Sequence, residues 1–219
     1  MTKRIMCFGD SLTWGWTPIE SGIPVERYSK EKRWTGILAS ELGPEYEVLE
    51  EGLSGRTTNL DDPTDPRLNG ANYLPSALAS HLPLDLVVLM LGTNDTKSYF
   101  HRSPFEIAAA VSMLIGQIAY SAGGVGTVYP APKVLLIAPP PLTAMPTPWF
   151  SELFKDGREK TIELAKHYRN LARFLQIAFL DAGEIMSTDG VDGIHFSEGN
   201  NLALGQAVAG LVSSEILPE

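Results

Sequence analysis

Five short apolar runs, separated by amphipathic stretches, set the rhythm of the chain. RIMCFG, EYEVLEEGL, LDLVVLMLG, KVLLIAPPP and IAFLDAG each read as a short strand. LDLVVLMLG is apolar almost throughout, the pattern of a strand covered on both faces. Between these runs the period changes to that of a helix. KEKRWTGILASELG brings Trp34, Ile37, Leu38 and Leu42 to one face and is stopped by Gly43-Pro44. SPFEIAAAVSMLIGQIAYSAGG opens with Ser103 as a cap, Pro104 in the first turn and Glu106 three residues after the cap, and is predicted to end at its glycines. GREKTIELAKHYRNLARFLQ is an amphipathic helix, and SEGNNLALGQAVAGLVSSEIL closes the chain as another.

Strands that alternate with helices predict a parallel sheet with helices on both faces. Right-handed crossovers then gather the C-terminal ends of all strands on one edge, where open sheets bind ligands. Two regions break the alternation. Asn59 to Pro75, NLDDPTDPRLNGANYLP, is expected to be a long loop. GGVGTVYPAPK and APPPLTAMPTPWF flank the fourth strand with prolines and aromatics. No internal repeat, low-complexity tract or linker divides the chain, so residues 1–219 are expected to form one domain.

Charge and cysteine content narrow the partners. A net charge of −9 argues against binding nucleic acid or an anionic membrane surface by bulk electrostatics. The single cysteine, Cys7, lies in the opening strand; it excludes an internal disulfide, fits a reducing compartment and is expected to be a buried, inert thiol. MTKRIMCFGD is a poor signal peptide, and no apolar run approaches the ~18 residues of a membrane span. The expectation is a soluble, cytoplasmic protein.

Three polar sites fall where strands end. GDSL puts Ser11 just after the first strand and LGTND puts Asn94 just after the third. DGVDGIHFS puts Asp192 and His195 three residues apart, immediately before the last helix. A strand-to-helix turn exposes a hydroxyl and aims backbone N–H groups outward. A serine hydroxyl needs a base to become a useful nucleophile, and the base needs a carboxylate to fix its tautomer. Ser11, His195 and Asp192 supply that set. Each has a plainer use alone: Ser11 as a helix cap, Asp192-Gly193 as a turn, Asn94-Asp95 as a turn cap, His195 as a surface histidine. Their joint appearance at one sheet edge favours the catalytic reading. Two other classes compete for the same residues. Asp10, Asn94, Asp95, Asp192 and His195 offer oxygen and nitrogen ligands for a metal-dependent phosphoesterase, although such sites usually hold more than one histidine or a bridging carboxylate. A non-catalytic binding module would hold a small ligand at the same edge and would have no use for a base with its orienting acid.

FGDSL, EGLSGRTT, LGTND and DGIH, in this order and spacing from Phe8 to His195, resemble the conserved blocks of the GDSL, or SGNH, hydrolase family. The resemblance implies an α/β fold, a flavodoxin-like three-layer α/β/α sandwich with a central parallel sheet (the SGNH hydrolase fold). It maps the nucleophile to Ser11, the acid to Asp192 and the base to His195, with oxyanion-hole donors from Ser11, Gly55 and the Asn94 side chain. The family's second block often has an Asn ahead of its glycine segment, where this chain has EEGLSG. Asp10 is read as a brace beneath the turn. GDSLTWGW, RTTNLDDPTDPRLNGANYLP and LGTNDTK further resemble the bacterial arylesterase and acyltransferase (perhydrolase) branch. That branch implies short-chain and aryl esters as substrates, acyl transfer to alcohols or peroxide, and a homo-oligomer in the form of an octamer. A carbohydrate-ester deacetylase and a lysophospholipase of the same family are the alternatives. An apolar substrate pocket is expected from Leu12, Trp14, Trp16, Ser54, Ile194, Trp149 and Phe150. No metal and no cofactor is expected.

Overall fold

The computed structural model of the protein describes residues 2–19, 26–121 and 123–218. Five strands form its frame: β1 (Lys3–Gly9), β2 (Tyr46–Gly52), β3 (Leu86–Met90), β4 (Lys133–Ala138) and β5 (Ala178–Asp181). All neighbours pair in parallel, in the order β2-β1-β3-β4-β5. This is the flavodoxin-like order. Helices α2 (Trp34–Leu42) and α7 (Glu198–Leu211) cover one face, and α3 (Gly70–His81), α4 (Pro104–Ala119) and α6 (Gly157–Leu175) cover the other.

Alternation along β1 shows how both faces are filled. Met6 and Phe8 pack with Leu74, Val111 and Leu164 on one side, while Ile5 and Cys7 pack with Trp34, Leu38 and Leu204 on the other. A strand with helices on both sides needs apolar residues at every position, which accounts for the unbroken run Leu86–Met90. Cys7 is buried as expected, and burial, helped by the nearby Glu50 carboxylate, pushes its thiol well above the ordinary range. No helix among the described residues is long and apolar enough to cross a membrane.

Three segments differ from the sequence reading. The Asn59–Pro75 region is not a loop throughout: a 3-10 turn covers Pro66–Leu68, and α3 begins at Gly70 and runs through Pro75. Proline has no N–H for the carbonyl four residues before it, here that of Ala71. The Gln117 side chain of α4 supplies the missing donor, its Nε2 lying 3.0 Å from the Ala71 oxygen. Pro75 itself is exposed. The second difference is at the end of α4. Its Ser103–Glu106 capping box forms as expected, but the helix stops at Ala119, short of the glycines, and Ala122 lies outside the described residues. Third, APPPLTAMPTPWF contributes a short helix, α5 (Pro148–Leu153), started by Pro148 at its first turn.

The chain leaves β1 towards the face covered by α2 and leaves β3 towards the face covered by α4. Connections that diverge in this way open a crevice at the C-terminal edge between the two strands. Ser11 follows β1 there, and Asn94 follows β3.

Candidate active site

Asp10 ends the strand and caps α1 (Ser11–Trp14), a single helical turn, with its Oδ1 accepting from the Leu12 N–H at 3.0 Å. The cap is therefore Asp10, and the Ser11 hydroxyl is left for another partner. That partner is His195: its Nε2 lies 2.9 Å from Ser11 Oγ, and its Nδ1 lies 2.7 Å from Asp192 Oδ2. All three side chains are buried. Asp192 is anchored further, since its Oδ1 accepts from the backbone N–H groups of Ile194 and His195, each at 2.9 Å. Burial alone would raise the Asp192 pKa, but the hydrogen bond and charge of His195, with the two backbone donors, outweigh it and hold the carboxyl below its ordinary range. Trp16 stacks on the His195 ring with centroids 4.9 Å apart and planes 15° from parallel.

The turn that carries Asp192 and His195 is tied to the loop after β4. Gly193 accepts through its carbonyl from the Thr143 N–H at 3.0 Å and from Thr188 Oγ1 at 2.7 Å. Its φ of +77° suits glycine, and a Cβ there would sit 2.4 Å from the Ala144 carbonyl oxygen. Gly55, with φ +87°, lines the cavity at Ser11 beside Ser54. Asn94 lies opposite, its Nδ2 donating to the Arg56 carbonyl at 3.1 Å and to Asp10 Oδ2 at 3.3 Å. Arg56 fixes this region from behind. Its guanidinium donates to the carbonyls of Gly9, at 2.9 Å, and Glu51, and lies over the Phe8 ring at 4.2 Å.

The cavity above Ser11 has a volume of about 160 Å³. Of the residues expected to line it, Trp16, Ser54, Phe150 and Ile194 do so. Leu12, Trp14 and Trp149 do not. Leu12 follows Ser11 by one helical residue, about 100° round the axis, and its side chain enters the core beside Trp34 and Leu204. Trp14 packs against the Arg27 guanidinium, 5.4 Å from its ring centroid. Trp149 is 76% exposed, on the outer side of α5, whose inner side presents Phe150 and Leu153. Sequence reasoning missed Thr93, Lys97, Leu153 and Phe154 as lining residues. Helical spacing from Phe150 would have found Leu153 and Phe154, and a turn after Asn94 would have found Lys97.

The residues proposed as metal ligands do not converge. Asp95 is turned to Thr58, accepting from its N–H at 3.0 Å and from its hydroxyl, while Asp192 is committed to His195. Among the described residues no group of three or more His, Cys, Asp or Glu side chains is arranged to hold a metal ion.

Asp10 and Asp95 are fully buried, and burial pushes their pKa values up to about 7 and about 6. Between the unfolded value near 4 and these folded values, the native state keeps protons that the unfolded chain has released. The stability they confer is thus complete below about pH 4 and is lost as pH rises through the folded values, by at most about 1.4 kcal/mol per pH unit for each carboxyl. We expect Tm to fall between pH 5 and pH 7.5, and to fall less in Asp95→Asn, which keeps an acceptor for Thr58. Superimposable Tm–pH curves for the two proteins would refute this.

Comparison with known proteins agrees with this geometry. The model of the GDSL-like lipase/acylhydrolase family matches residues 7–199. The chain belongs to that family, and acyl hydrolysis is the activity its membership carries. Among solved structures, the native aryl esterase of M. smegmatis is 63% identical, with a TM-score of 0.96 over 99% of this chain and 100% of that one. A carbohydrate acetylesterase from Sinorhizobium meliloti is 59% identical, with a TM-score of 0.95 over 97% of this chain and 99% of that one. A carbohydrate acetylesterase family member from the same organism is 36% identical, with a TM-score of 0.89 over 97% and 98%. Among the curated proteins no sequence matches this chain.

Proposed function

We propose that the protein is a serine esterase acting on short-chain and aryl carboxylic esters through an acyl-enzyme, with transfer of the acyl group to alcohols or peroxide alongside hydrolysis. One observation carries this reading: the unbroken relay from Ser11 Oγ through the His195 ring to Asp192, at 2.9 and 2.7 Å, opening into a cavity of acyl size. Ser11 attacks the ester carbonyl as its proton passes to His195 Nε2, giving a tetrahedral intermediate. The C–O bond to the alcohol then breaks, and His195 returns the proton to the leaving oxygen. Water, an alcohol or peroxide attacks the acyl-enzyme with the same proton exchange, and Ser11 is regenerated.

Donors for the developing oxyanion are the N–H groups of Ser11 and Gly55 and the Asn94 amide, preorganised groups typically worth ~2.7–4 kcal/mol each. Both Nδ2 hydrogens of Asn94 already have acceptors. The bond to Asp10, at 3.3 Å, is the longer and is the one exchanged for the substrate oxygen. Substrate size follows from volume. About 160 Å³ holds roughly five water-sized groups, enough for a small acyl chain.

The identity to the aryl esterase of M. smegmatis supports the aryl-ester assignment. Deacetylation of carbohydrate esters is the second reading, favoured by 59% identity to the Sinorhizobium meliloti carbohydrate acetylesterase. A homo-oligomer, in the form of an octamer, belongs to the proposal. The exposed side chains of Phe105, Tyr120, Trp149 and Phe174 are the apolar surface that subunit contacts would cover. The lone Cys7 accords with work in the cytoplasm.

Incubation with a fluorophosphonate tests the mechanism. The expected result is one adduct per chain by intact mass, mapped to Ser11 by peptide sequencing. A folded protein that takes no label would return the site to the binding-module reading.

A further inference from the structure

Among the described residues, Lys97 is the one lysine or arginine lining the cavity at Ser11. It joins two 3-10 turns, Asn94–Thr96 and Ser98–Phe100, so its backbone is held on both sides and it stands one turn beyond Asn94. The residue is buried, and its Nζ donates to Asp62 Oδ2 at 2.7 Å. Asp62 is saturated. Its Oδ1 accepts from the Thr64 N–H at 2.9 Å and the Thr64 hydroxyl at 2.6 Å, and its Oδ2 accepts from the Tyr99 hydroxyl at 2.8 Å as well as from Lys97. Burial would raise the Asp62 pKa, but these donors, led by Lys97, pull it down to about 2, so the carboxylate stays charged.

An ammonium carries three N–H donors. Asp62 takes one, the Tyr99 ring centroid lies 5.9 Å from Nζ, and no other hydrogen-bond acceptor for Nζ is found among the described residues. Spare donors on a buried cation are costly unless something in the cavity accepts from them. The walls formed by Trp16, Phe150, Leu153, Phe154 and Ile194 are apolar, and the polar side chains of Ser54, Thr93 and Asn94 on the same lining make no hydrogen bond to Nζ. Asp62 also neutralises the lysine, so the pair calls for an uncharged acceptor rather than an anion.

We propose that Lys97 is a specificity-determining residue that selects esters bearing an uncharged acceptor oxygen, a hydroxyl or an ether, on the group that fills the cavity. The inference rests on the esterase reading above and deepens it, adding a charged donor to the apolar and hydroxyl-bearing lining of the pocket. Oxygenated short acyl groups and polyol esters are the substrate class it names.

The test uses pairs of esters in which one CH2 is replaced by oxygen. For the acyl half these are p-nitrophenyl methoxyacetate and p-nitrophenyl butyrate; for the alcohol half, 2-methoxyethyl acetate and butyl acetate. The ratio of kcat/KM within each pair is measured for wild type and for Lys97→Met. Dividing the wild-type ratio by the mutant ratio cancels the esters' intrinsic reactivity. Lys97→Met alone leaves Asp62 buried and unpaired, so Lys97→Met/Asp62→Asn is measured beside it. The expected quotient is about 10-fold or more for one pair in both variants, the size of a hydrogen bond from a charged donor. A quotient below about threefold for both pairs, in whichever variant folds, would overturn the assignment while leaving the esterase reading in place. No Ser11-dependent turnover of any of the four esters would overturn both.

Discussion

Ser11→Ala is expected to lower kcat on p-nitrophenyl acetate by on the order of 10⁴- to 10⁶-fold and to abolish the acyl adduct seen by intact mass. The size follows from what the hydroxyl does. It is the atom within 2.9 Å of His195 Nε2, and without it the imidazole has no proton to take and the carbonyl no nucleophile to meet. Groups that act as one relay lose nearly all of their joint effect when any member is removed, and binding with the oxyanion donors supplies the small remainder. The change should not unfold the protein. Asp10, not Ser11, caps α1, and alanine is a good helix former, so the helical turn keeps both its cap and its propensity. Circular dichroism and Tm close to wild type, with activity and adduct both gone, are the expected pattern. A mutant that retained turnover would show that the relay is not the catalytic apparatus.

The parts of this molecule that were legible in its sequence are those where one physical requirement dominates. Strands buried on both faces must be apolar at every position, and so β3 and β4 could be read as such from composition alone. Polar residues directly after such strands stand out, because a parallel sheet has a functional edge and these are the residues on it. What was hidden depends on partners distant in the chain. Pro75 argues against a helix until Gln117, 42 residues later, is seen to satisfy the carbonyl that the proline leaves open. The direction of an aromatic side chain is hidden too. Trp14, Trp16 and Trp149 look alike beside the motifs, yet Trp16 stacks on His195, Trp14 meets Arg27 and Trp149 faces outward. Lys97 was illegible for the same reason: its importance lies in Asp62, a residue of the loop that composition marks only as polar.

Asp192→Asn should lower kcat/KM by about 10⁴-fold with almost no change in fold, through the tautomer of His195. In the native site Asp192 Oδ2 accepts from Nδ1–H, which leaves Nε2 unprotonated and able to receive the Ser11 proton. The two backbone N–H groups of Ile194 and His195 both point at Oδ1. In the asparagine variant these donors select the amide oxygen for that position, which turns the NH2 towards the imidazole. Nδ1 must then become the acceptor, and the ring proton moves to Nε2. A protonated Nε2 donates to Ser11 instead of taking its proton, so the base is disabled while every distance is kept. The Trp16 stack holds the ring in its plane, so both nitrogens stay opposite their partners while the proton shifts between them. Fluorophosphonate labelling should slow in parallel with turnover, since both need the same deprotonated Ser11. Tm near the wild-type value is the accompanying expectation, because the turn keeps its two backbone bonds. Labelling at the wild-type rate would mean that Asp192 only shapes the turn and that His195 draws its tautomer from elsewhere.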